Sequence, residues 1–127
     1  MGFTLDTGAL IALQKRKRRA WRFVELAVAD EHVLRSPADV LAEFWRGAVA
    51  MKPLSILVES AIEWVDVTPE LAKRAGLSLT NAGKGPSAVD ALVATVAALH
   101  GDVVLTSDVS DFARLAAHYP GLRVLKV

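Results

Sequence analysis

Short apolar runs alternate with longer stretches of helical periodicity from one end of this chain to the other, and that alternation constrains the fold more than any other feature. Residues 2–5, 32–34, 63–67, 102–106 and 122–125 are rich in Val, Leu, Ile or aromatic residues and bounded by polar residues or glycine, so each predicts a strand. Helical patterns lie between them. Residues 7–15 and 20–29 form the first two. Ser36 followed by Pro37 predicts an N-cap and first turn for a helix through Met51. Pro53 opens another, to about residue 62. Thr68 and Pro69 repeat the cap-then-proline signal before residues 70–79. Residues 81–85, N-A-G-K-G, read as a loop. Pro86 and Ser87 lead into a helix that ends near His100, with Gly101 as its stop. A last helix spans 110–118, ended by Pro120 and Gly121. Strands alternating with helices predict an α/β fold: a parallel sheet with helices on both faces and right-handed crossovers. Ligand sites in such sheets lie beyond the carboxyl ends of strands, so residues there are the ones to inspect.

A length of 127 residues fits a single domain, 1–127, and 53% hydrophobic residues supply a core rather than a disordered chain. The absence of cysteine excludes disulfides, thiolate metal sites and a cysteine nucleophile, and fits a reducing, cytoplasmic setting. Asp6 within the first apolar run argues against a signal peptide. No uncharged run reaches the roughly 18 to 20 residues of a membrane helix. Net charge is +1, but six of the fifteen basic residues (Lys15, Arg16, Lys17, Arg18, Arg19 and Arg22) fall within eight positions. Such a block suits phosphate or an acidic protein, and equally a solvated helix–helix turn.

Four carboxylates stand out, each with a structural alternative. Asp6 directly follows the first strand and could simply cap the next helix. Asp108 follows the V-V-L-T-S strand end, and with Asp111 resembles a capping arrangement. Asp90 is the only charged residue between Lys84 and His100, in a helix apolar nearly all round, where a buried carboxylate needs a partner or a cation. Its alternative is a capping box with Ser87. Glu43 lies beside the apolar stripe Val40, Phe44, Gly47 and Met51, and could instead pair with Arg46 or reach outward to solvent. Jointly, two acids at strand ends and two on helices that can lean over the same edge predict a cluster that cannot be fully ionised without cations. All-oxygen ligands suit Mg²⁺ or Mn²⁺ and phosphoryl transfer better than zinc.

The segments L-D-T-G-A-L-I-A-L, S-P-A-D-V-L-A-E-F-W-R-G, S-A-V-D-A-L-V-A-T-V-A and V-V-L-T-S-D-V-S-D-F-A-R-L, in this order and spacing, resemble the PIN-domain family over essentially the whole chain, in particular the VapC-type toxins of bacterial toxin–antitoxin pairs. The resemblance implies an α/β/α sandwich around a mostly parallel sheet of four or five strands. It implies a Mg²⁺- or Mn²⁺-dependent endoribonuclease with Asp6, Glu43, Asp90 and Asp108 as metal ligands and catalytic acids. Thr106 would orient the site, Thr7 would hydrogen-bond near metal or phosphate, and Asp111 matches a further acidic position. Gly8 departs from the pattern, standing where many relatives carry a polar residue. The implied partners are an RNA substrate, a small antitoxin protein, and a second copy in a homodimer, forming a heterotetramer or larger assembly with the antitoxin.

Other readings are a non-toxin RNA-processing nuclease of the same fold, or a non-catalytic α/β protein-binding module. Gly8 instead of a second Asp argues against the D-x-D-G-T chemistry of aspartyl-nucleophile phosphatases, and the lack of an acidic pair near the start argues against a receiver-like module. His32, His100 and His118 match no pairing motif and are assigned no catalysis. Trp21, Trp45 and Trp64 fit core or interface packing better than base stacking.

Overall fold

The structure is a computed structural model that describes residues 1–47, 50–52 and 54–127. The elements in chain order are β1 (Gly2–Leu5), α1 (Thr7–Gln14), α2 (Arg18–Ala29), β2 (Val33–Pro37), α3 (Ala38–Phe44), α4 (Leu54–Ser60), β3 (Ile62–Val65), α5 (Pro69–Ser78), α6 (Ala88–His100), β4 (Val103–Thr106), α7 (Ser110–Leu115) and β5 (Arg123–Lys126). The strands form one sheet in the order β3-β2-β1-β4-β5, with every neighbouring pair parallel. This is the predicted α/β sheet at its upper count of five strands.

Parallel pairing forces a crossover between successive strands, and right-handed crossovers assign the helices to faces. The chain steps from β1 to β2 to β3 in one direction, which puts α1 to α4 on one face. It then steps through β4 to β5 in the other, which puts α5 to α7 on the opposite face. Packing agrees: α1 touches α2 and α3, while α6 touches α5 and α7. Burial on both faces explains why β1 reads G-F-T-L without alternation, with all four residues buried. Seven consecutive residues of α6, Ala91 to Ala97, are buried, since the helix lies under β1, β2 and β4 and is covered by α5. Its near-uniform apolarity is therefore a consequence of position.

Local signals end several elements where expected. Thr68 caps α5 through Leu71 N, with Pro69 in its first turn. Ser87 and Asp90 form a reciprocal capping box on α6, and Gly101 closes that helix in a left-handed conformation (φ 69°). Other expectations fail. Ser36 is not a helix cap: it belongs to β2, fully buried, and its hydroxyl donates to Leu5 O at 2.7 Å. Pro37 ends that strand and is the N-cap of α3, without a side-chain cap. The helix predicted through Met51 stops at Phe44, because Trp45 turns extended (ψ 129°) and Gly47 takes φ 98°. Part of that predicted helix (Ala48 and Val49), and the predicted start at Pro53, lie outside the described residues. The last helix ends at Leu115 rather than residue 118.

One ion pair crosses the sheet interior at the end opposite the carboxyl edge. Asp102, just before β4, accepts from Arg35 of β2 (2.8 Å) and from Thr4 Oγ1 of β1 (2.8 Å). Its side chain is 1% exposed and that of Arg35 12%. Gly2 leaves room for it, since a Cβ there would collide with Asp102 Oδ1. Removing one partner of such a pair strands the other charge, whereas replacing both with apolar groups does not. Asp102→Ala should therefore cost about 3–5 kcal/mol in urea unfolding, and Arg35→Met with Asp102→Leu should recover most of that loss.

Candidate active site

β1 and β4 are neighbours, yet the chain leaves them in opposite directions across the sheet. The crevice beyond their carboxyl ends is the topological switch point, the place where open α/β sheets bind ligands. Asp6 stands there. It follows β1 and caps α1, with Oδ1 accepting from Ala9 N at 2.7 Å. Oδ2 accepts from Thr106 Oγ1 at 2.5 Å, across the β1–β4 boundary. The Thr106 hydroxyl has a single hydrogen, which this short bond claims, and its oxygen accepts in turn from Asp108 N at 3.1 Å. Asp6 is 7% exposed, and burial pushes its carboxyl up to about 6, against the lowering effect of its hydrogen bonds; the charge of Asp90 raises it further.

Asp90 occupies the first turn of α6, half-buried, with Oδ2 held by Ser87 N at 2.9 Å. The capping-box alternative is thus real, and the same carboxylate also lies close enough to Asp6 to oppose its ionisation. Asp111, in the first turn of α7, is raised by desolvation and then by Asp90 and Asp108. Asp108 is exposed and turned toward α7: its Oδ1 accepts from Ser110 N (3.0 Å) and Ser110 Oγ (2.7 Å), which lowers its pKa. Glu43 lies exposed on α3, and its Oε1 accepts a hydrogen bond from Thr7 Oγ1, one residue beyond Asp6.

The acids predicted to converge thus form an arc along the carboxyl edge, from Glu43 through Thr7 to Asp6, then Asp90, Asp111 and Asp108. Of these acids, Asp90 is the one whose charge raises the pKa of Asp6. Among the described residues, no three acidic or histidine side chains are disposed to enclose a metal ion by themselves. Nor does a basic side chain there form an ion pair with Asp6 or Asp90. Mg²⁺ is commonly held by only one or two carboxylates while substrate phosphates and water complete its shell. A buried, unpaired Asp6 with Asp90 beside it fits that mode.

Two residues here escaped the sequence reading. Asp39 is one helical turn before Glu43, and both its carboxylate oxygens are buried without a hydrogen-bond partner. Burial raises its pKa, the nearby backbone N–H groups of Asp39 and Val40 work against that rise, and the charge of Glu43 adds to it. The i, i+4 spacing to Glu43 was the available signal. Ser107 is the other. A Cβ on Gly8 would meet Ser107 Oγ at 2.5 Å, so the unexpected glycine leaves room for that hydroxyl in its present rotamer. The remaining candidates pack as expected: Trp21, Trp45 and Trp64 lie against the core, His32 meets Phe3 edge-on, His118 meets Tyr119 edge-on, and His100 Nδ1 is hydrogen-bonded to Val96 O. Lys15 to Arg19 and Arg22 are exposed around the start of α2.

The sequence model of the PIN domain family matches residues 3–118. No curated protein sequence matches the chain. Among solved structures, VapBC2 from Rickettsia felis, bound to a DNA fragment from its promoter, superposes with a TM-score of 0.76 at 20% identity, covering 100% of this chain and 99% of that one. A toxin–antitoxin complex from Klebsiella pneumoniae gives 0.72 at 22% identity, covering 98% and 97%. VapC20 of Mycobacterium tuberculosis, a toxin that cleaves the sarcin–ricin loop, gives 0.68 at 19% identity, covering 96% and 99%.

Asp6 carries a measurable cost. A carboxyl raised from 3.8 to about 6 opposes folding only when ionised. The penalty is absent below pH 4, grows between pH 4 and 6, and is complete above it. In metal-free protein at pH 8, Asp6→Asn should therefore raise unfolding free energy by about 2–3 kcal/mol, since one pKa unit is worth 1.36 kcal/mol. The gain should vanish when unfolding is measured at pH 4.

Proposed function

Because the chain belongs to the PIN domain family, we propose that it is a divalent-cation-dependent endoribonuclease and the toxin of a VapC-type toxin–antitoxin pair. The observation that carries this reading is the buried Asp6 carboxylate at the switch point, unmatched by a basic side chain among the described residues and opposed by Asp90. Fold similarity to toxin–antitoxin proteins over nearly the full length of each chain supports the toxin assignment.

In this reading Asp6 and Asp90 hold Mg²⁺ or Mn²⁺. A cation there would supply Lewis acidity that lowers the pKa of a water molecule it binds. Thr106 fixes the rotamer of Asp6. Glu43, steadied by Thr7, faces the site from α3 and can accept a proton from attacking water or help hold a second cation. Asp111 and Asp108 extend the acidic edge on the far side of Asp90 from Glu43. Exposed basic residues such as Lys15 to Arg22, Arg46 and Lys84 neutralise RNA phosphates. A small antitoxin covers the acidic edge, and two toxin chains pair in the resting assembly.

The capping box at Asp90 favours one competitor, a non-catalytic binding module in which this carboxylate is purely structural. Asn at position 90 retains a carbonyl oxygen for the cap, so substitution separates the two. Purified chain should cleave RNA with Mg²⁺ or Mn²⁺ and lose cleavage on chelation. Asp6→Asn and Asp90→Asn should each abolish cleavage while circular dichroism stays unchanged. Full activity in either variant defeats the residue assignment. Apparent Mn²⁺ affinity should also fall about tenfold per pH unit below pH 6, as Asp6 takes up its proton.

A further inference from the structure

We propose that Ser107 is a positioning residue of the cation site, its hydroxyl holding a hydration water of the ion at Asp6 from a place that only glycine at position 8 leaves open. The proposal rests on the nuclease reading above. Ser107 lies at the end of β4, between Thr106, which bonds Asp6, and Asp108. It is half-buried. A Cβ added to Gly8 would lie 2.5 Å from Ser107 Oγ, 3.3 Å from Asp6 Oδ1 and 3.4 Å from Ser107 N. The hydroxyl and the Asp6 carboxylate therefore flank the same point, over the first turn of α1, close enough for one water to touch both.

The glycine is not there for its backbone. Gly8 lies inside α1, where glycine is a poor helix former and no positive φ calls for it. What a side chain at position 8 would displace is the Ser107 hydroxyl in its present rotamer. A helix that accepts a weak residue to seat a hydroxyl beside a buried, unpaired carboxylate is arranged around that hydroxyl. A serine oxygen can accept one hydrogen bond and donate another, as a water held between a cation and a side chain demands. Groups that orient a metal site from its second layer are typically worth about 10–100-fold in metal affinity or activity.

The distances also define the test. Only the Ser107 hydroxyl stands closer than 3.3 Å to the added Cβ, so Gly8→Ala must rotate that hydroxyl away while leaving the backbone in place. With Ser107→Ala the obstruction is gone, and serine at position 8 can present its own hydroxyl to the same water. Mn²⁺ affinity is measured by calorimetry and RNA cleavage by gel assay on four proteins: the parent chain, Ser107→Ala, Gly8→Ala, and Gly8→Ser with Ser107→Ala. Ser107→Ala and Gly8→Ala should each weaken Mn²⁺ binding about tenfold with melting temperature held or raised, and the double variant should recover most of the loss. Parent-like Mn²⁺ affinity in Ser107→Ala overturns the proposal, as does a double variant no better than the single one. If the parent chain itself binds no Mn²⁺, the nuclease reading falls and takes this proposal with it.

Discussion

A carboxylate has been taken out of water at the one point of the sheet where two neighbouring strands send the chain in opposite directions. Asp6 accepts a helix-capping bond from Ala9 N and a hydroxyl bond from Thr106, and its hydrogen bonds do not offset the burial that raises its pKa to about 6. The surrounding architecture makes that placement unavoidable. The parallel pairing of β1 with β4 brings Thr106 against Asp6, and α6 beneath the same strands brings Asp90 into range. Among the described residues no basic side chain forms an ion pair with it; under the proposed function a bound cation would supply that charge.

The sheet contains a second buried aspartate, and the contrast is informative. Asp102, at the opposite end of the strands, has the Arg35 guanidinium and the Thr4 hydroxyl upon it. Its charge is balanced within the fold, so it serves as a strut joining β1, β2 and β4. Asp6 has a hydroxyl and a backbone N–H but no guanidinium. Two carboxylates of similar burial thus do different work because one has a cation of its own and the other does not. Unmatched burial is a better marker of a site than burial itself.

Much of this was legible in the sequence because the informative signals were local. Alternation of strand and helix, the caps at Thr68 and Ser87 and the stop at Gly101 depend on residues within a few positions of one another, and they stand as read. What failed depended on distant partners. Ser36–Pro37 has the composition of a helix start, yet Ser36 finds its acceptor in Leu5 O and Arg35 finds Asp102, 67 residues away, which draws the segment into β2. In the site, Asp6, Asp90 and Glu43 are visible as acids in or beside apolar settings, and Thr106 only through the family resemblance. Asp108 was visible too, but its proximity to Ser110 turns its carboxylate toward α7. Ser107 is invisible for the opposite reason: a serine after a strand carries no signal until the glycine that leaves room for its hydroxyl, nearly a hundred residues earlier, is seen beside it.

Capping and ion binding are alternatives for Asp6 and Asp90 in the sequence, but the capping bonds in the structure are compatible with both. An ionised carboxylate offers about four acceptor positions, and a cap uses one or two. Asp6 spends one oxygen on Ala9 N and Asp90 spends one on Ser87 N. Each bond pins its side chain to the first turn of a buried helix, so the remaining lone pairs point from a fixed rotamer. A flexible acid on a loop would lose conformational entropy on meeting a cation, whereas a capping acid has already lost it during folding. In this fold the helix caps at the carboxyl edge are therefore the means by which the acidic pair is preorganised.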